Sequence, residues 1–225
     1  PSGKNFHGFS PFKIPSPAAW ELGCKAGRDI IERHLEKHGK YPQKTAVALW
    51  AVETLRNEGV NESTILFLMG IRPMWDANGR VKGTEAIPGA ELNRPRLDVL
   101  ISPSGLYRDL FPDKLLFLDD AVQKAAAQTD LENLISRHND EVKKRLLAAG
   151  LKDKEADILS RVRIFSEMPG SYGNRVSEMA SASGFWDDDA DLADVFIKQT
   201  GFAYGLGLWG EPGRRALAEN LRDAD

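Results

Sequence analysis

The sequence predicts an α/β fold: a mostly parallel sheet covered by helices, with an added helical lobe. Three observations predict it. Short apolar runs at Thr45–Trp50, Leu97–Ile101 and Arg163–Ser166 each lead directly into a polar stretch. Runs this short suit strands buried on both faces, as in a parallel sheet covered by helices. The stretch 106–161 keeps a helical period almost throughout, which supplies the lobe.

The elements follow in order. Residues 1–15 read as a connecting segment. Ser16 and Pro17 open the first helix as N-cap and N1. Trp20, Ala26, Ile30, Ile31 and Leu35 keep helical spacing up to His38-Gly39, where glycine stops it. Strand Thr45–Trp50 follows, then a helix over Asn61–Met69, capped by Asn61 and stopped by Gly70. Ile71–Trp75 and Arg80–Ile87 read as strands around Asp76-Ala77-Asn78-Gly79, where Asn-Gly is a hairpin signal. Pro88–Pro95 is a loop with one helical turn, before strand Leu97–Ile101. Breaks near Thr129-Asp130 and at Gly150 divide 106–161 into three helices, the last entering at Asp153. Strand Arg163–Ser166 returns to the sheet. A helix from about Arg175, a long one from the Asp187-Asp188-Asp189 cap to Ala203, and a final one after Pro212 complete the chain. The division expected is 1–15 connecting segment, 16–105 first part of the core, 106–161 helical lobe, and 162–225 return strand with C-terminal helices.

Composition narrows the function. The 225 residues are 42% hydrophobic and 28% charged, as in soluble globular proteins. A net charge of −3 without a basic run argues against nucleic acid as the main partner. No apolar stretch approaches membrane-spanning length and no signal peptide is present, so no membrane partner is expected. Cys24 is the single cysteine, which excludes an internal disulfide and a thiolate metal cluster. A reducing, cytoplasmic setting is expected.

Several motifs point away from common chemistries. His34 and His38 stand four apart on one helix face, but Glu32, Arg33, Glu36 and Lys37 mark a solvated helix end without HExxH. Gly205, Gly207 and Gly210 spell G-x-G-x-x-G, yet a helix is predicted before it and Glu211-Pro212 follows, so a dinucleotide site is rejected. No P-loop and no G-x-S-x-G elbow occur. The acidic run Asp187–Asp191 reads as a helix cap favoured by the dipole.

What remains is the polar exits of the three strands: Trp50, Glu53, Thr54 and Arg56; Ser102, Ser104, Tyr107, Arg108 and Asp109; Glu167, Ser171, Tyr172 and Asn174. Ligands of open α/β sheets bind at the carboxyl ends of the strands. Helix capping accounts for the Ser, Asp, Asn and Gly residues, but not for Arg108 beside Asp109, nor for Tyr107 and Tyr172. Carboxylates suit proton transfer or a metal ion, arginine suits carboxylate or amide groups, and aromatics suit a flat apolar surface. The set fits a large planar ligand with polar substituents better than a phosphate ester. His7 adds a ring nitrogen in the aromatic, loop-like segment Phe6-His7-Gly8-Phe9.

At these residues the chain resembles the CobN-type large subunit of aerobic cobaltochelatase and, more distantly, the H-type large component of magnesium chelatase. The motifs are Met69–Trp75 (MGIRPMW), Glu91–Asp98 (ELNRPRLD), Ser104–Asp109 (SGLYRD) and RVRIFSEMPGSYGN, within a similarity running over essentially the whole chain. The resemblance implies ATP-dependent insertion of a divalent metal into a tetrapyrrole: cobalt(II) into hydrogenobyrinic acid a,c-diamide, or magnesium into protoporphyrin in the other branch. It implies ATP and magnesium bound at an AAA+ ATPase subunit with an integrin-like companion, and no cofactor bound by this chain. The family's His-Gly-x-x-Glu motif is absent, which implies a C-terminal part of the subunit. Under this reading Glu53, Asp109 and Glu167 are the catalytic candidates, with Glu53 and His7 as candidate metal ligands. The candidate tetrapyrrole contacts are His7, Trp50, Thr54, Arg56, Ser102, Ser104, Tyr107, Arg108 and Tyr172. If the strands are parallel, Glu53 or Thr54, Ser104 or Arg108, and Glu167 or Tyr172 line one cleft within roughly 15 Å at the carboxyl edge, away from His34 and His38. A docking role without chemistry, carried by the helices of 106–161, is the alternative.

Overall fold

The computed structural model describes residues 10–181 and 188–225. Helix α1 spans Pro17–His38, with the Ser16 hydroxyl accepting from the Ala19 N–H at 3.2 Å and Gly39 closing it at φ 67°. Strand β1 (Lys44–Leu49) leads into α2 (Ala51–Asn57) and α3 (Val60–Met69). The hairpin β2 (Ile71–Trp75) and β3 (Val81–Ala86) turns where predicted, the Asp76 carboxylate accepting from the Asn78 and Arg80 N–H groups. Then come α4 (Gly89–Leu92), β4 (Asp98–Pro103), α5 (Gly105–Leu110), α6 (Pro112–Ala126), α7 (Leu134–Ala148), α8 (Asp153–Arg161) and β5 (Ile164–Ser166). The chain ends with α9 (Val176–Ser181), α10 (Asp189–Thr200), β6 (Phe202–Gly205), β7 (Leu208–Pro212) and α11 (Arg214–Arg222).

The main sheet has the order β1-β4-β5-β6-β7. The three predicted strands β1, β4 and β5 are parallel neighbours, and β6 and β7 extend the sheet as an antiparallel hairpin. Both faces are covered, and side chains alternate between them as the pleat requires. Val99, Ile101, Ile164 and Tyr204 face a core shared with α1, α3 and α6. Leu100, Phe165 and Ala203 face a second core shared with α7, α8 and α11. The helices of 106–161 thus pack directly on the sheet, α6 on one face and α7 and α8 on the other.

The structure corrects four readings. Helix α2, directly after β1, has no counterpart among the predicted elements. Helix α3 begins at Val60 rather than after an Asn61 cap, because the Asn57 side chain accepts from the Gly59 and Val60 N–H groups. Phe111-Pro112 separates α5 from α6, since proline opens a new helix. Helix α10 stops at Thr200, and Phe202–Tyr204 is a strand, not its continuation. A short apolar run fits either period. The G-x-G-x-x-G glycines therefore serve a hairpin: Leu206 and Gly207 form its two-residue turn with φ of 53° and 82°. At Gly210, a Cβ would lie 2.4 Å from Pro169, so glycine lets β7 approach the loop after β5.

The amino edge of the sheet is held by buried charge. Lys44, Asp98 and Arg163 lie at or just before the starts of β1, β4 and β5, and all three are essentially inaccessible. The Asp98 carboxylate accepts from Arg163 Nε at 2.8 Å and His138 Nδ1 at 2.8 Å, with Lys44 Nζ at 3.1 Å. Lys44 also donates to Asn220 on α11, and Arg163 to Asn139 on α7. Burial pushes the Asp98 carboxyl up, but Arg163 and Lys44 outweigh it and hold it far below the usual carboxylate range.

Asp98→Asn leaves two buried cations without their counter-ion and is expected to cost about 3–5 kcal/mol in urea unfolding. A loss under about 1 kcal/mol would show that the edge does not depend on it. Because the folded-state value lies below the unfolded value of 3.8, the wild-type contribution is present above that value and lost as pH falls below it. The Asn variant should lack this acid-side dependence.

Candidate functional site

Three parallel strands side by side place their exits on one edge. Neighbouring strands lie about 4.8 Å apart, so the exits of β1, β4 and β5 span about 10 Å. The backbone joins them: the Ser104 N–H donates to the Leu49 carbonyl at 2.9 Å, and the Ser166 hydroxyl reaches the Pro103 carbonyl at 2.7 Å. Just before α1, the Ser16 N–H donates to the Glu58 carbonyl at the end of α2, and the Pro15 carbonyl accepts from the Trp75 indole.

Arg108 is the organiser of the edge. Ser104 caps α5 by accepting from the Tyr107 N–H at 3.2 Å, and the helix then delivers Arg108 inward, fully buried. Its Nη1 donates to the carbonyls of Glu167 and Met168, both at 2.9 Å, and lies 3.5 Å from that of Ser171. Nε and Nη2 bind both oxygens of Asp109, at 2.7 and 3.0 Å. The Tyr172 hydroxyl donates to Asp109 at 2.6 Å, and its ring centre lies 5.8 Å from the guanidinium carbon. The hydrogen bond from Arg108, with Tyr172 adding to it, holds the Asp109 carboxyl below its ordinary value. A carboxylate so held is a poor proton acceptor and a good anchor.

The predicted site residues therefore separate into distinct groups. Ser104, Arg108, Asp109, Glu167 and Tyr172 converge in one hydrogen-bonded cluster. Arg108 has its donors directed at the loop, so it does not present a guanidinium to a ligand's carboxylates. Tyr107 is also turned inward. Glu167 is buried, its Oε2 lying 2.9 Å from the Ser166 hydroxyl oxygen, while its carbonyl accepts from Tyr204. Ser102 is half-buried opposite Ala48. Glu53 and Arg56 stand on the open face of α2, 3.8 Å apart, with the Asn57 amide donating to Glu53. Thr54 is buried beneath them. His7 lies outside the described residues. His34 and His38 stack at 4.4 Å near the far end of α1, toward the amino edge.

Among the described residues this edge presents an open face. Trp50 is 59% exposed, Met168 52% and Tyr172 62%, with Leu106 and Leu110 exposed beside them. A groove of about 580 Å³ lies elsewhere, between α8, β7 and the start of α11, and none of the predicted site residues lines it.

Sequence reasoning passed over Glu62. Its carboxyl is fully buried, with Oε1 accepting from the Thr54 hydroxyl at 2.9 Å and the Tyr107 hydroxyl at 2.8 Å. The signal available was a single charged residue in the otherwise uncharged stretch Val60–Met69. Burial pushes Glu62 up, and it likewise raises Tyr107 well above its ordinary value.

Comparison with known proteins shows the family to which the chain belongs. The family described as CobN/Magnesium Chelatase matches residues 1–225. The aerobic cobaltochelatase subunit CobN of a Sinorhizobium species is 35% identical over 224 residues, 99% of this chain and 18% of that protein. The H-type magnesium-chelatase subunit of Chlorobaculum parvum is 35% identical over 228 residues, 100% of this chain and 17% of that protein. The solved catalytic subunit of cobaltochelatase from Mycobacterium tuberculosis superposes with a TM-score of 0.85 at 33% identity, over 95% of this chain and 18% of that one. The chain thus spans less than a fifth of the length of these relatives. The ordered motifs, the mixed sheet of mostly parallel strands flanked by helices, and the match over every residue place this chain in the CobN/magnesium chelatase family.

Proposed function

We propose that this chain forms one wall of a tetrapyrrole site in a metal chelatase subunit. A divalent metal is inserted there while separate AAA+ and integrin-like partners hydrolyse ATP. The observation that carries the reading is the carboxyl edge itself: three converging strand exits flanked by exposed Trp50, Met168 and Tyr172. A tetrapyrrole is flat and apolar on its faces and polar at its rim. Exposed aromatics supply large contact area to such faces at low entropic cost.

Metal insertion requires the ion to lose water, the ring nitrogens to lose protons, and the macrocycle to be held. Glu53, solvated and at the rim, is the carboxylate best placed to receive a proton or touch the incoming ion, with Arg56 beside it for a peripheral carboxylate or amide. Asp109 and Arg108 act on the protein instead: they fix the loop that presents Tyr172 and Met168. Cobalt(II) and hydrogenobyrinic acid a,c-diamide are the favoured metal and macrocycle. The relatives include both cobalt and magnesium enzymes, so magnesium and protoporphyrin are the competing pair.

The complete subunit, combined with its ATPase partners, ATP and the corrin precursor, should take up cobalt. An assembly that refuses cobalt and metallates protoporphyrin with magnesium would assign the other branch. A docking role is favoured by Leu116 and Leu147, exposed on α6 and α7. Glu53→Gln should slow insertion under the first reading and leave it intact under the second.

Visible-absorption titration tests the wall directly. Trp50→Ala and Tyr172→Ala should each weaken tetrapyrrole binding about tenfold, which is about 1.4 kcal/mol of lost aromatic contact, with melting little changed. Arg108→Lys should act differently. Lysine cannot reproduce the planar fork, so both binding and stability should fall, the latter by about 2–3 kcal/mol. Unchanged binding in all three variants would remove the edge from the site.

A further inference from the structure

Helix α3 carries a group that the chemistry above does not use and that its surroundings make costly. Glu62 is fully buried, and its Oε2 has no hydrogen-bond partner. A buried polar atom left unpaired is costly, and each one calls for a structural or functional explanation. The position is telling. Thr54 lies one helical turn past Trp50, where β1 has just ended, and Tyr107 lies just past Ser104, where β4 has ended. Both hydroxyls donate to the same carboxyl oxygen, so one side chain joins the first turns of the helices that follow two site strands.

The titratable groups facing Glu62 are Tyr107 from α5 and Lys114 from α6. Lys114 is itself largely buried, and burial lowers it, with Glu62 partly offsetting that. It makes no direct ion pair with Glu62. Helix α2 contributes the Thr54 hydroxyl. Among the described residues, α1, β1, β2 and β4 bring no ionisable group within hydrogen-bonding or ion-pairing distance. Burial without a contacting cation raises the Glu62 carboxyl above its ordinary value, while its own backbone N–H, the Tyr107 and Thr54 hydroxyls and the more distant Lys114 oppose the rise.

We propose that Glu62 is a positioning residue for the tetrapyrrole edge: by drawing Thr54 and Tyr107 onto one carboxyl, it sets the separation of the exits that carry Trp50 and Ser104. The inference rests on the tetrapyrrole reading and adds to it the internal brace on which the edge depends. The sign of the pH dependence follows from burial. Glu62 is raised above its unfolded value of about 4.5. Its stabilising contribution is therefore complete below that value and lost as pH rises toward the folded-state value.

The test compares wild type, Glu62→Gln, Glu62→Ala and Tyr107→Phe in the full chain. Urea unfolding is followed from about pH 5 to about pH 9, and binding of hydrogenobyrinic acid a,c-diamide and protoporphyrin by absorption. Glutamine keeps the acceptor and cannot ionise, so it should bind within about twofold of wild type and lose less stability toward alkaline pH. Alanine and phenylalanine remove hydrogen bonds of about 1 kcal/mol and should weaken binding about fivefold. Tyr107→Phe serves should the alanine variant not fold. Folded alanine or phenylalanine variants that bind as wild type would overturn the brace. A wild-type chain that leaves both spectra unchanged overturns the tetrapyrrole reading itself, and the positioning role with it.

Discussion

Asp98 is the counter-ion on which the sheet's arrangement depends. Two parallel neighbours flank β4, and each presents a cation at its amino end, Lys44 on one side and Arg163 on the other. A buried cation is tolerated only when paired, so Asp98 must lie between them. This fixes β4 between β1 and β5 and the register in which β1 meets it. The cluster reaches beyond the sheet as well. His138 and Asn139 bring α7 to it, and Asn220 brings α11. Hydrophobic burial alone would accept several registers of short valine- and leucine-rich strands; a charge that must meet its partner accepts one.

The consequence is a division between the two edges. The amino edge is closed by charge and by helix contacts. The carboxyl edge is left to loops, as α/β sheets generally arrange it. Those loops are not loosely held. Arg108 ties the exit of β4 to three carbonyls of the exit of β5, and Glu62 ties the helix after β1 to the helix after β4. The polar groups that looked like ligands in sequence are thereby directed inward, at other loops. What they leave outward is Trp50, Met168 and Tyr172 above, with Glu53 and Arg56 at one rim.

This inversion explains what the sequence could show. Three strands, the Ser16 cap, the Asn78-Gly79 turn and the location of the edge were legible because each is a local pattern of period, cap or turn. Asp98, Lys44 and Arg163 were not, because partners 54 and 65 residues apart leave no local trace of pairing. In sequence, a charged residue at a strand end reads as the boundary where burial stops. Helix α2 was missed for a related reason: seven residues are too few for a clear period, and its inward side is marked by the burial of Ala51 and of Thr54, which bonds Glu62 on α3. The hairpin β6–β7 was hidden because Phe202–Tyr204 continues the apolar spacing of α10, and only pairing with β5 decides its period. Glu62 was masked by its own helix, where a carboxylate is ordinarily assigned to the solvent face.

The roles of Arg108 and Tyr107 sharpen the distinction between a motif and a contact. Ser104–Asp109 is one of the motifs that carry the family resemblance. Its information concerns shape more than chemistry. Serine starts the helix, tyrosine reaches down to Glu62, arginine reaches across to the β5 loop, and aspartate receives both Arg108 and Tyr172. Each residue type is needed for that geometry, and none of the four side chains has to touch a macrocycle to matter for holding one. A flat ligand demands a flat, rigid face. Rigidity at a strand exit has to come from buried polar bonds beneath it, because the apolar core stops where the strands stop. The polar density of the motif is the physical cost of building a stiff aromatic surface beyond the end of the sheet.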